Sequence, residues 1–212
     1  MPSIKNIIPG IIALFLSYAA QAQSLKAVQQ IEGIPPKVAY RAIAHDGSGN
    51  LYVATSVDVF MIPSNNNRAQ PMSVGDQIMD VDWSPDYGLI LLSKDGSIRF
   101  TATGKVLTVD AGTGATCMDV TKTMIWVGTN NGVSTVSIPQ EKVVKQYTTA
   151  DGILASNEIT FIHTDPSGIR WIGSRAGVVR IDGKKWKLYE KEQAITGITS
   201  TAEGAWMAAD SN

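Results

Sequence analysis

Two histidines and one cysteine are the residues with the most reactive side chains. His45 and His163 each come just before an Asp-x-x-Gly turn, and a histidine in a site with carboxylates could act as a general base. Two histidines leave little room for a multi-histidine metal site. Cys117 lies in an apolar stretch with no histidine nearby, which favours a buried small side chain over a nucleophile. We therefore predict no catalytic residue, no metal ligand and no cofactor.

A second set of candidates is polar and suits ligand binding. An arginine could pair with a carboxylate or stack under a sugar ring, and asparagine or aspartate could bond to hydroxyl groups. The alternative is that Asn, Asp and Lys occur because tight turns favour them. Turn geometry does not require an arginine or an Asn-Glu pair, so these are the stronger candidates. The candidate ligand-binding residues are Lys94, Asp95, Asn130, Asn131, Asn157, Glu158 and Arg175.

The composition is that of a folded, turn-rich chain. Its 212 residues include 18 Lys and Arg against 19 Asp and Glu, a formal net charge of -1 that makes nucleic acid an unfavourable partner. Charged residues make up 17% and apolar residues 44%, which argues against intrinsic disorder. A single cysteine excludes an intramolecular disulfide and a cysteine-based zinc cluster.

Residues 1–22 have the pattern of a secretory signal peptide. Lys5 precedes an apolar stretch over residues 7–16, and Ala20-Gln21-Ala22 supplies a small-x-small cleavage site. An uncleaved membrane anchor is the alternative, but the stretch is shorter than the ~20 residues that a bilayer requires and Pro9-Gly10 interrupts it. No cysteine stands at the cleavage site, so a lipoprotein is excluded. No later segment is apolar enough to cross a membrane. We therefore expect the mature protein outside the cytoplasm.

The elements that position the candidate residues repeat along the chain. Five segments share an aromatic or large apolar anchor followed by small residues, and their spacings are 38, 36, 45 and 35 residues. A period near 40 without a helical pattern is typical of one four-stranded propeller blade. We therefore predict an all-β chain, a β-propeller of four-stranded antiparallel blades with about 4.5 blades present and the ring incomplete. The anchors are Tyr52, Ile90, Trp126, Trp171 and Trp206.

The best copy of the repeat resolves into four short strands. β-Branched and aromatic residues dominate these strands, and turn residues such as Asp182-Gly183 separate them. The small pair Gly173-Ser174, with counterparts Gly128-Thr129 and Ala54-Thr55, should allow neighbouring blades to approach closely. The predicted strands are 158–163, 170–174, 177–181 and 185–189.

The repeat divides the chain into a signal peptide, an N-terminal strand and successive blades. Within residues 23–36, Leu25–Ile31 resembles an orphan fourth strand that closes a ring by pairing with the last blade. The fifth repeat stops halfway, so we expect the sequence to be the N-terminal part of a longer protein. The predicted ranges are 1–22 for the signal, 23–36 for the closing strand and connector, 37–76, 77–112, 113–152 and 153–193 for blades 1 to 4, and 194–212 for a partial blade 5.

The loop positions predict which face of the propeller holds the candidate site. Loops between second and third strands share a face with the connections between blades, and this rim surrounds the channel mouth, where ligands tend to bind. The seven candidates, with Asp76, Gln77 and Asp210, belong to this face, whereas His45 and His163 fall on the opposite one. Tryptophans are expected in the blade core, with sugar stacking as an alternative for Trp186.

The stretch Asp165–Arg180 carries a family resemblance. Its sequence DPSGIRWIGSRAGVVR resembles the two-component-regulator propeller repeat, whose pattern is Asp-x-x-Gly, then Trp-(Ile/Val)-Gly-(Thr/Ser), then Gly-(Leu/Val)-x-Arg. The family's connecting phrase Asp-Gly-Leu-x-x-Asn is similar to Asp151–Asn157. The Asp-x-x-Gly turn is also present at Asp46–Gly49, is shifted at Asp86–Gly88 and is missing before Trp126.

This resemblance implies a sensor. In the family, such repeats form the extracytoplasmic part of hybrid two-component regulators, usually in bacteria that respond to glycans. It implies an exported, non-catalytic propeller that binds a small extracellular ligand, such as an oligosaccharide, or a protein partner. The implied location is the periplasm, the cell surface or the extracellular medium of a Gram-negative bacterium. The sequence contains neither a membrane helix nor kinase motifs, so kinase activity is not carried over.

Two alternatives belong to other functional classes. A scaffold propeller in a surface or secretion complex predicts an exposed apolar or aromatic patch on a blade edge. A lyase similar to the streptogramin-lyase propellers predicts a histidine general base and magnesium-binding carboxylates that converge on one channel mouth.

Overall fold

The computed structural model describes residues 31–75, 77–110, 114–190, 194–201 and 204–209. The predicted signal peptide, residues 25–30 of the predicted closing strand, Asp76 and Asp210 lie outside the described residues. Within the described ranges no helix has the length and apolar character needed to cross a bilayer.

The described chain forms four antiparallel sheets of four strands and one sheet of two strands. We number the sheets as blades 1 to 5 in chain order. Blade 1 contains β1 (Tyr40–His45), β2 (Leu51–Thr55), β3 (Val59–Ile62) and β4 (Gln70–Pro71). Blade 2 contains β5 (Ile78–Ser84), β6 (Gly88–Ser93), β7 (Ser97–Phe100) and β8 (Val106–Thr108). Blade 3 contains β9 (Ala115–Val120), β10 (Met124–Thr129), β11 (Gly132–Ser137) and β12 (Lys142–Tyr147). Blade 4 contains β13 (Ile159–Thr164), β14 (Arg170–Ser174), β15 (Gly177–Asp182) and β16 (Lys185–Glu190), and blade 5 contains β17 (Ile195–Thr201) and β18 (Gly204–Ala209).

This arrangement confirms the predicted propeller of four-stranded antiparallel blades. Each sheet follows chain order, and the first strand of each blade contacts the first strand of the next. The five sequence anchors occupy one structural position in the second strand of their blades. In blade 1, Ala42 pairs with Ala54 directly after the bulge, and the anchor Tyr52 lies two residues before Ala54. In blade 4, Phe161 pairs with Gly173, and the anchor Trp171 lies two residues before Gly173. In blade 4 the predicted strands match the observed ones to within one residue at each end.

The hydrophobic core lies between the blades. Among the described residues, four of the five clusters of buried side chains combine residues from two neighbouring sheets, and the fifth packs blade 1 against Ile31 and Ile34. The four interblade clusters bring together Val59 with Leu89, Phe100 with Met118, Val133 with Ile172, and Val178 with Ile198. A single blade is therefore too thin to bury its own apolar faces, and the stack of blades supplies the burial.

Small residues at one position of strand 2 allow this packing, as predicted. A Cβ on Gly128 would lie 2.5 Å from Cys117 Sγ and 2.7 Å from Ile159 Cγ2, and a Cβ on Gly173 would lie 3.2 Å from Ile195 Cγ2. At the same position Ala54 shares a buried cluster with Ile78 of blade 2. Between blades 2 and 3 the large and the small residue exchange places. The second strand of blade 2 contributes the large Leu92, and the first strand of blade 3 contributes the small Ala115 to the same buried cluster.

A β-bulge recurs in the first strand of every blade. In each blade one residue of the first strand has no pairing partner in the second strand, and the bulge redirects its side chain. The extra residues are Arg41, Met79, Thr116, Thr160 and Thr196.

The N-terminal end of the described chain runs along blade 1. Glu32 forms an isolated parallel bridge with Arg68, and its carbonyl accepts the Ala69 N–H at 2.7 Å. Gly33 adopts φ +90, and a Cβ there would lie 2.6 Å from the Ala69 carbonyl oxygen, so the approach requires glycine.

Candidate functional site at the rim

The backbone places equivalent residues of four blades at one end of the propeller. In blades 1 to 4, the residue directly after the second strand donates its backbone N–H. The acceptor is the carbonyl of the residue directly before the first strand of the same blade. These donors therefore share the end at which the first strands begin, the predicted rim. The pairs are Ser56 with Ala39 (2.8 Å), Lys94 with Gln77 (2.8 Å), Asn130 with Gly114 (3.2 Å) and Arg175 with Glu158 (3.1 Å).

Hydroxyl groups hold these loops in shape. The last residue of the second strand donates its hydroxyl to a carbonyl across the turn: Thr129 to Gly132 at 3.0 Å and Ser174 to Gly177 at 2.9 Å. Thr55 makes the same bond to Asp58 at 2.8 Å. The Thr or Ser of the repeat motif therefore stabilises the turn after the second strand and fixes the position of the residue that follows it.

Two of the seven candidate side chains are used by the loops themselves. The Asp95 carboxylate accepts the Ser97 N–H at 2.9 Å, and the hydrogen bond from Ser97 lowers the pKa of Asp95. Asn157 accepts the Thr149 N–H on its side-chain oxygen at 2.7 Å. These oxygens are acceptors within turns, the role that the turn interpretation gave them.

The remaining candidates are solvent-exposed side chains at the rim. Arg175 Nε and Glu158 Oε2 lie 2.5 Å apart in an exposed ion pair. Lys94, Asn130 and Asn131 are also exposed. The rim thus offers an arginine, a lysine, a carboxylate and two amides, a set that suits an anionic or hydroxyl-rich ligand.

Both histidines lie at the other end of the first strands. His45 ends β1, and His163 is the penultimate residue of β13. Next to them the Asp-x-x-Gly turns are closed by aspartate: Asp165 accepts N–H groups from Ser167 (2.8 Å) and Ile169 (2.9 Å). In the described parts of the chain, no group of three His, Cys, Asp or Glu residues could hold a metal ion.

Three aspartates of the first strands hold neighbouring blades together and were not predicted from the sequence. They bridge neighbouring blades: Asp80 accepts the Met118 N–H at 2.7 Å, and Asp82 accepts the Val120 N–H at 3.1 Å. Asp119 accepts the Thr164 N–H at 2.9 Å and its hydroxyl at 2.6 Å. The spacing of 37 residues between Asp82 and Asp119, close to the repeat period, was the available signal.

Burial dominates the electrostatics of the first two aspartates. Desolvation raises the pKa of Asp80 to about 7 and the pKa of Asp82 to about 6, against the N–H groups that favour the carboxylates. The nearby carboxylates of the cluster raise both values further. Burial at the blade 2–3 interface therefore favours the protonated form of these two carboxyl groups below a pH of about 6 to 7.

Asp119 sits in a different environment, next to a cation and aromatic rings. Arg170 Nε lies 3.3 Å from Asp119 Oδ2, and both side chains are largely buried. The Arg170 guanidinium also covers the Trp126 ring at 4.2 Å. Trp126 in turn stacks on Tyr147 with centroids 5.7 Å apart, and Trp186 completes the cluster. Trp186 is thus half-buried blade core.

Cys117 is buried between blades 3 and 4, as predicted. Burial raises the pKa of its thiol to about 12, so the thiolate that a nucleophile needs is not formed near neutral pH.

No family model and no curated protein sequence matches the chain. Solved structures resemble it. The extracellular domain of BT4673 from B. thetaiotaomicron, described as a hybrid two component system, superposes with a TM-score of 0.69 at 13% identity, covering 85% of this chain and 27% of that one. The extracellular domain of BT3049 from the same organism, given the same description, has a TM-score of 0.64 at 14% identity, covering 88% and 27%.

An enzyme is among the similar structures as well. Virginiamycin B lyase from Staphylococcus aureus has a TM-score of 0.62 at 15% identity, covering 80% of this chain and 62% of the lyase. The chain spans about a quarter of the length of the two sensor-domain structures. At such low identities these similarities establish the propeller fold, and function must be argued from the chain's own residues.

Proposed function

We propose that this chain is an exported, non-catalytic propeller module of a sensor, which binds a small extracellular ligand such as an oligosaccharide at the rim. The observation that carries the proposal is the equivalent placement of Lys94, Asn130 and Arg175 by the same backbone hydrogen bond in three successive blades. Their side chains are exposed at the same end of the blades, and a ligand bound there could contact several blades at once.

The chemistry of these side chains favours a polyhydroxylated or anionic ligand. The Arg175–Glu158 pair offers a planar donor next to an acceptor, which matches vicinal hydroxyls or a uronate carboxylate. Both partners are exposed, so exchange of this ion pair for ligand contacts involves little further desolvation. The sensor descriptions of the BT4673 and BT3049 domains support the same proposal.

The lyase alternative lacks a site in the described residues. It requires a histidine and carboxylates at one mouth, and both histidines lie at the end of the first strands opposite to the rim. The scaffold alternative has one observation in its favour, the exposed Trp206 of blade 5.

A binding screen tests the proposal. The chain without residues 1–22 is incubated with neutral xylo- and arabino-oligosaccharides and with uronate-containing chondroitin and galacturonate fragments, and the melting temperature is recorded. We expect one class to raise it. Arg175→Ala should weaken that ligand about tenfold, the loss typical of one charge-assisted hydrogen bond.

The matched control is Lys184→Ala, because Lys184 is exposed in the turn between β15 and β16 and lies away from the rim. It should leave the affinity unchanged. If no sugar shifts the melting temperature and a protein partner co-purifies, the sensor proposal is wrong and the scaffold function replaces it.

A further inference from the structure

A lysine recurs at one position along the outer edge of blades 2, 3 and 4. In each blade it lies two residues before the side chain that pairs with an equivalent residue of the third strand. Those third-strand residues are Ile98, Val133 and Val178, and all three are buried. The repeat therefore places the same cation in three settings. The lysines and the residues two positions further on are Lys105 and Leu107, Lys145 and Tyr147, and Lys187 and Tyr189.

At the blade 2–3 interface this lysine is paired with an acid of the next blade. Lys105 Nζ lies 2.6 Å from Glu141 Oε1, and Glu141 is the residue directly before β12. Leu107 of blade 2 and Ile138 of blade 3 belong to one buried cluster. The outer parts of these two blades are therefore joined by an ion pair as well as by apolar contact.

At the blade 3–4 interface the corresponding acid is replaced by a base. The residue directly before β16, the position that Glu141 occupies in blade 3, is Lys184. Lys145 forms none of the ion pairs found among the described residues, and its Nζ lies 4.5 Å from the centre of the Tyr147 ring. The exposed Lys142 of β12 forms none of them either. No described residue supplies these two lysines with the carboxylate that Glu141 supplies one interface earlier.

The outermost strand of blade 3, β12, carries cationic side chains on one side and apolar ones on the other. Because Val144 is extra to the pairing with β11, Lys142 and Lys145 share the side on which Tyr147 packs against blade 4. Val143 lies on the opposite side, and Val143 and Val144 are 39% and 43% exposed. Blades 3 and 4 are both complete four-stranded sheets, so this edge exists whatever follows blade 5.

We propose that an extended acidic segment of a partner protein binds along β12 as an additional strand. Its carboxylates pair with Lys142 and Lys145 as Glu141 pairs with Lys105, and opposite charges on neighbouring strands stabilise such an addition. Alternate side chains of an extended strand point to opposite sides, so apolar residues between the acids contact Val143. The partner is thus recognised by acidic and apolar residues in alternation, at an edge that is separate from the rim.

Two observations favour a peptide over an acidic saccharide. The carboxylate that binds the equivalent Lys105 belongs to a glutamate side chain of the chain itself. In addition, β12 is the last strand of its sheet, and the outer side of such a strand offers backbone N–H and C=O groups to which a peptide can add. A saccharide matches only the charges.

Fluorescence polarisation with the chain lacking residues 1–22 tests the proposal. The probe is a labelled peptide of about ten residues, a typical strand length, in which glutamate and valine alternate. We expect saturable binding that weakens as the salt concentration rises, because salt screens exposed charges. A peptide of the same composition with its glutamates and valines in separate blocks should bind about fivefold more weakly, since it does not present acids on one side only.

Lys145→Glu should weaken binding of the alternating peptide about tenfold or more, because the change replaces an attractive charge by a repulsive one. Lys142→Glu should act in the same direction. Lys187→Glu is the matched control, since Lys187 occupies the position of Lys145 one blade further on and its Nζ lies 4.6 Å from the centre of the Tyr189 ring. Lys187 shares the side of Tyr189, which packs towards blade 5. This control changes the net charge equally and should retain the affinity.

Four outcomes overturn the proposal: no saturable binding, equal affinity for the two peptides, equal losses in Lys145→Glu and Lys187→Glu, or displacement of the peptide by a galacturonate fragment at the same carboxylate concentration. In the first case the lysines serve only to keep the edge from pairing with other sheets. Cooperative thermal unfolding of each variant establishes that it is folded. If Lys145→Glu fails this requirement, Lys145→Gln replaces it and should still weaken binding.

Discussion

Blades 2 and 3 meet through two carboxylates and a large apolar cluster, whereas blades 3 and 4 meet through a carboxylate, a guanidinium and three aromatic rings. The strand geometry is the same, since Asp82 and Asp119 occupy equivalent positions and accept equivalent N–H groups, those of Val120 and Thr164. Asp119 forms an ion pair with Arg170 at 3.3 Å, whereas burial is the largest influence on Asp82 and raises its pKa to about 6. The comparison separates the contribution of the blade fold from that of the charges within it.

The largest effect should come from removing the cation. Arg170→Ala leaves the Asp119 carboxylate largely buried without its counter-charge and uncovers Trp126, so we expect a loss of about 3 kcal/mol in the free energy of unfolding. Chemical denaturation measures it. Arg170→Lys should recover part of the loss, because the charge returns without the planar contact to the ring. A loss below about 1 kcal/mol in Arg170→Ala would show that the pair acts as a surface ion pair.

The next largest effect should come from adding one methyl group between blades 3 and 4. Gly128→Ala places a Cβ within 2.7 Å of Ile159 and should cost about 2 kcal/mol in the free energy of unfolding. Gly197→Ala in β17 is the control for the effect of a glycine-to-alanine change in a strand, since the nearest described atom to its Cβ would be Ala208 Cβ at 4.0 Å. Similar costs for the two variants would contradict close approach of the blades as the reason for Gly128.

The blade 2–3 interface should respond to pH. Because burial raises the pKa of Asp80 to about 7 and of Asp82 to about 6, the folded chain binds more protons than the unfolded one between the ordinary and raised values. Stability from this source is complete at low pH and is lost as pH rises through 6 to 7, by up to about 1.4 kcal/mol per pH unit and group.

Melting temperatures from pH 8 to pH 5 measure this dependence. The unsubstituted chain should gain stability on acidification relative to the double variant Asp80→Asn, Asp82→Asn, which lacks both protonation sites. Parallel curves for the two proteins would show that the cluster stays ionised throughout, and the distinction from the blade 3–4 interface would disappear.

The smallest effect belongs to the rim. Arg175→Ala removes an exposed ion pair and should change the free energy of unfolding by less than about 0.5 kcal/mol, in contrast to Arg170→Ala. A substantially larger loss would mean that Arg175 supports the blade rather than a ligand.

The repeat predicted the fold well because its signal is local. Each anchor, small pair and turn lies within one blade, and Gly128 and Gly173 could be interpreted from their position alone. The interblade contacts were less accessible, since Asp119 and Arg170 are 51 residues apart and only the fold brings them together.

The common location of the candidate residues could be predicted, and their role in ligand binding stays a prediction. Loop order placed the rim residues at one end, but residue type could not tell which side chains the turns would use. Asp95 and Asn157 illustrate this limit, because the hydrogen bonds that occupy their oxygens depend on loop backbone geometry. The aspartates of the first strands were not predicted because their hydrogen-bond partners lie in the next blade, as the Met118 N–H does for Asp80, and only the fold brings them together.

The reversed sizes of Leu92 and Ala115 constrain how such a gene can gain or lose repeats. Duplication of blade 4 would set Gly173 against a copy of Ile159, a pairing of small with large that the chain already contains. Deletion of blade 3 would set Leu92 against Ile159, two large side chains in a space that elsewhere holds one. By the size of this one pair, a second copy of blade 4 would fit next to the first, whereas loss of blade 3 alone would leave Leu92 and Ile159 in conflict.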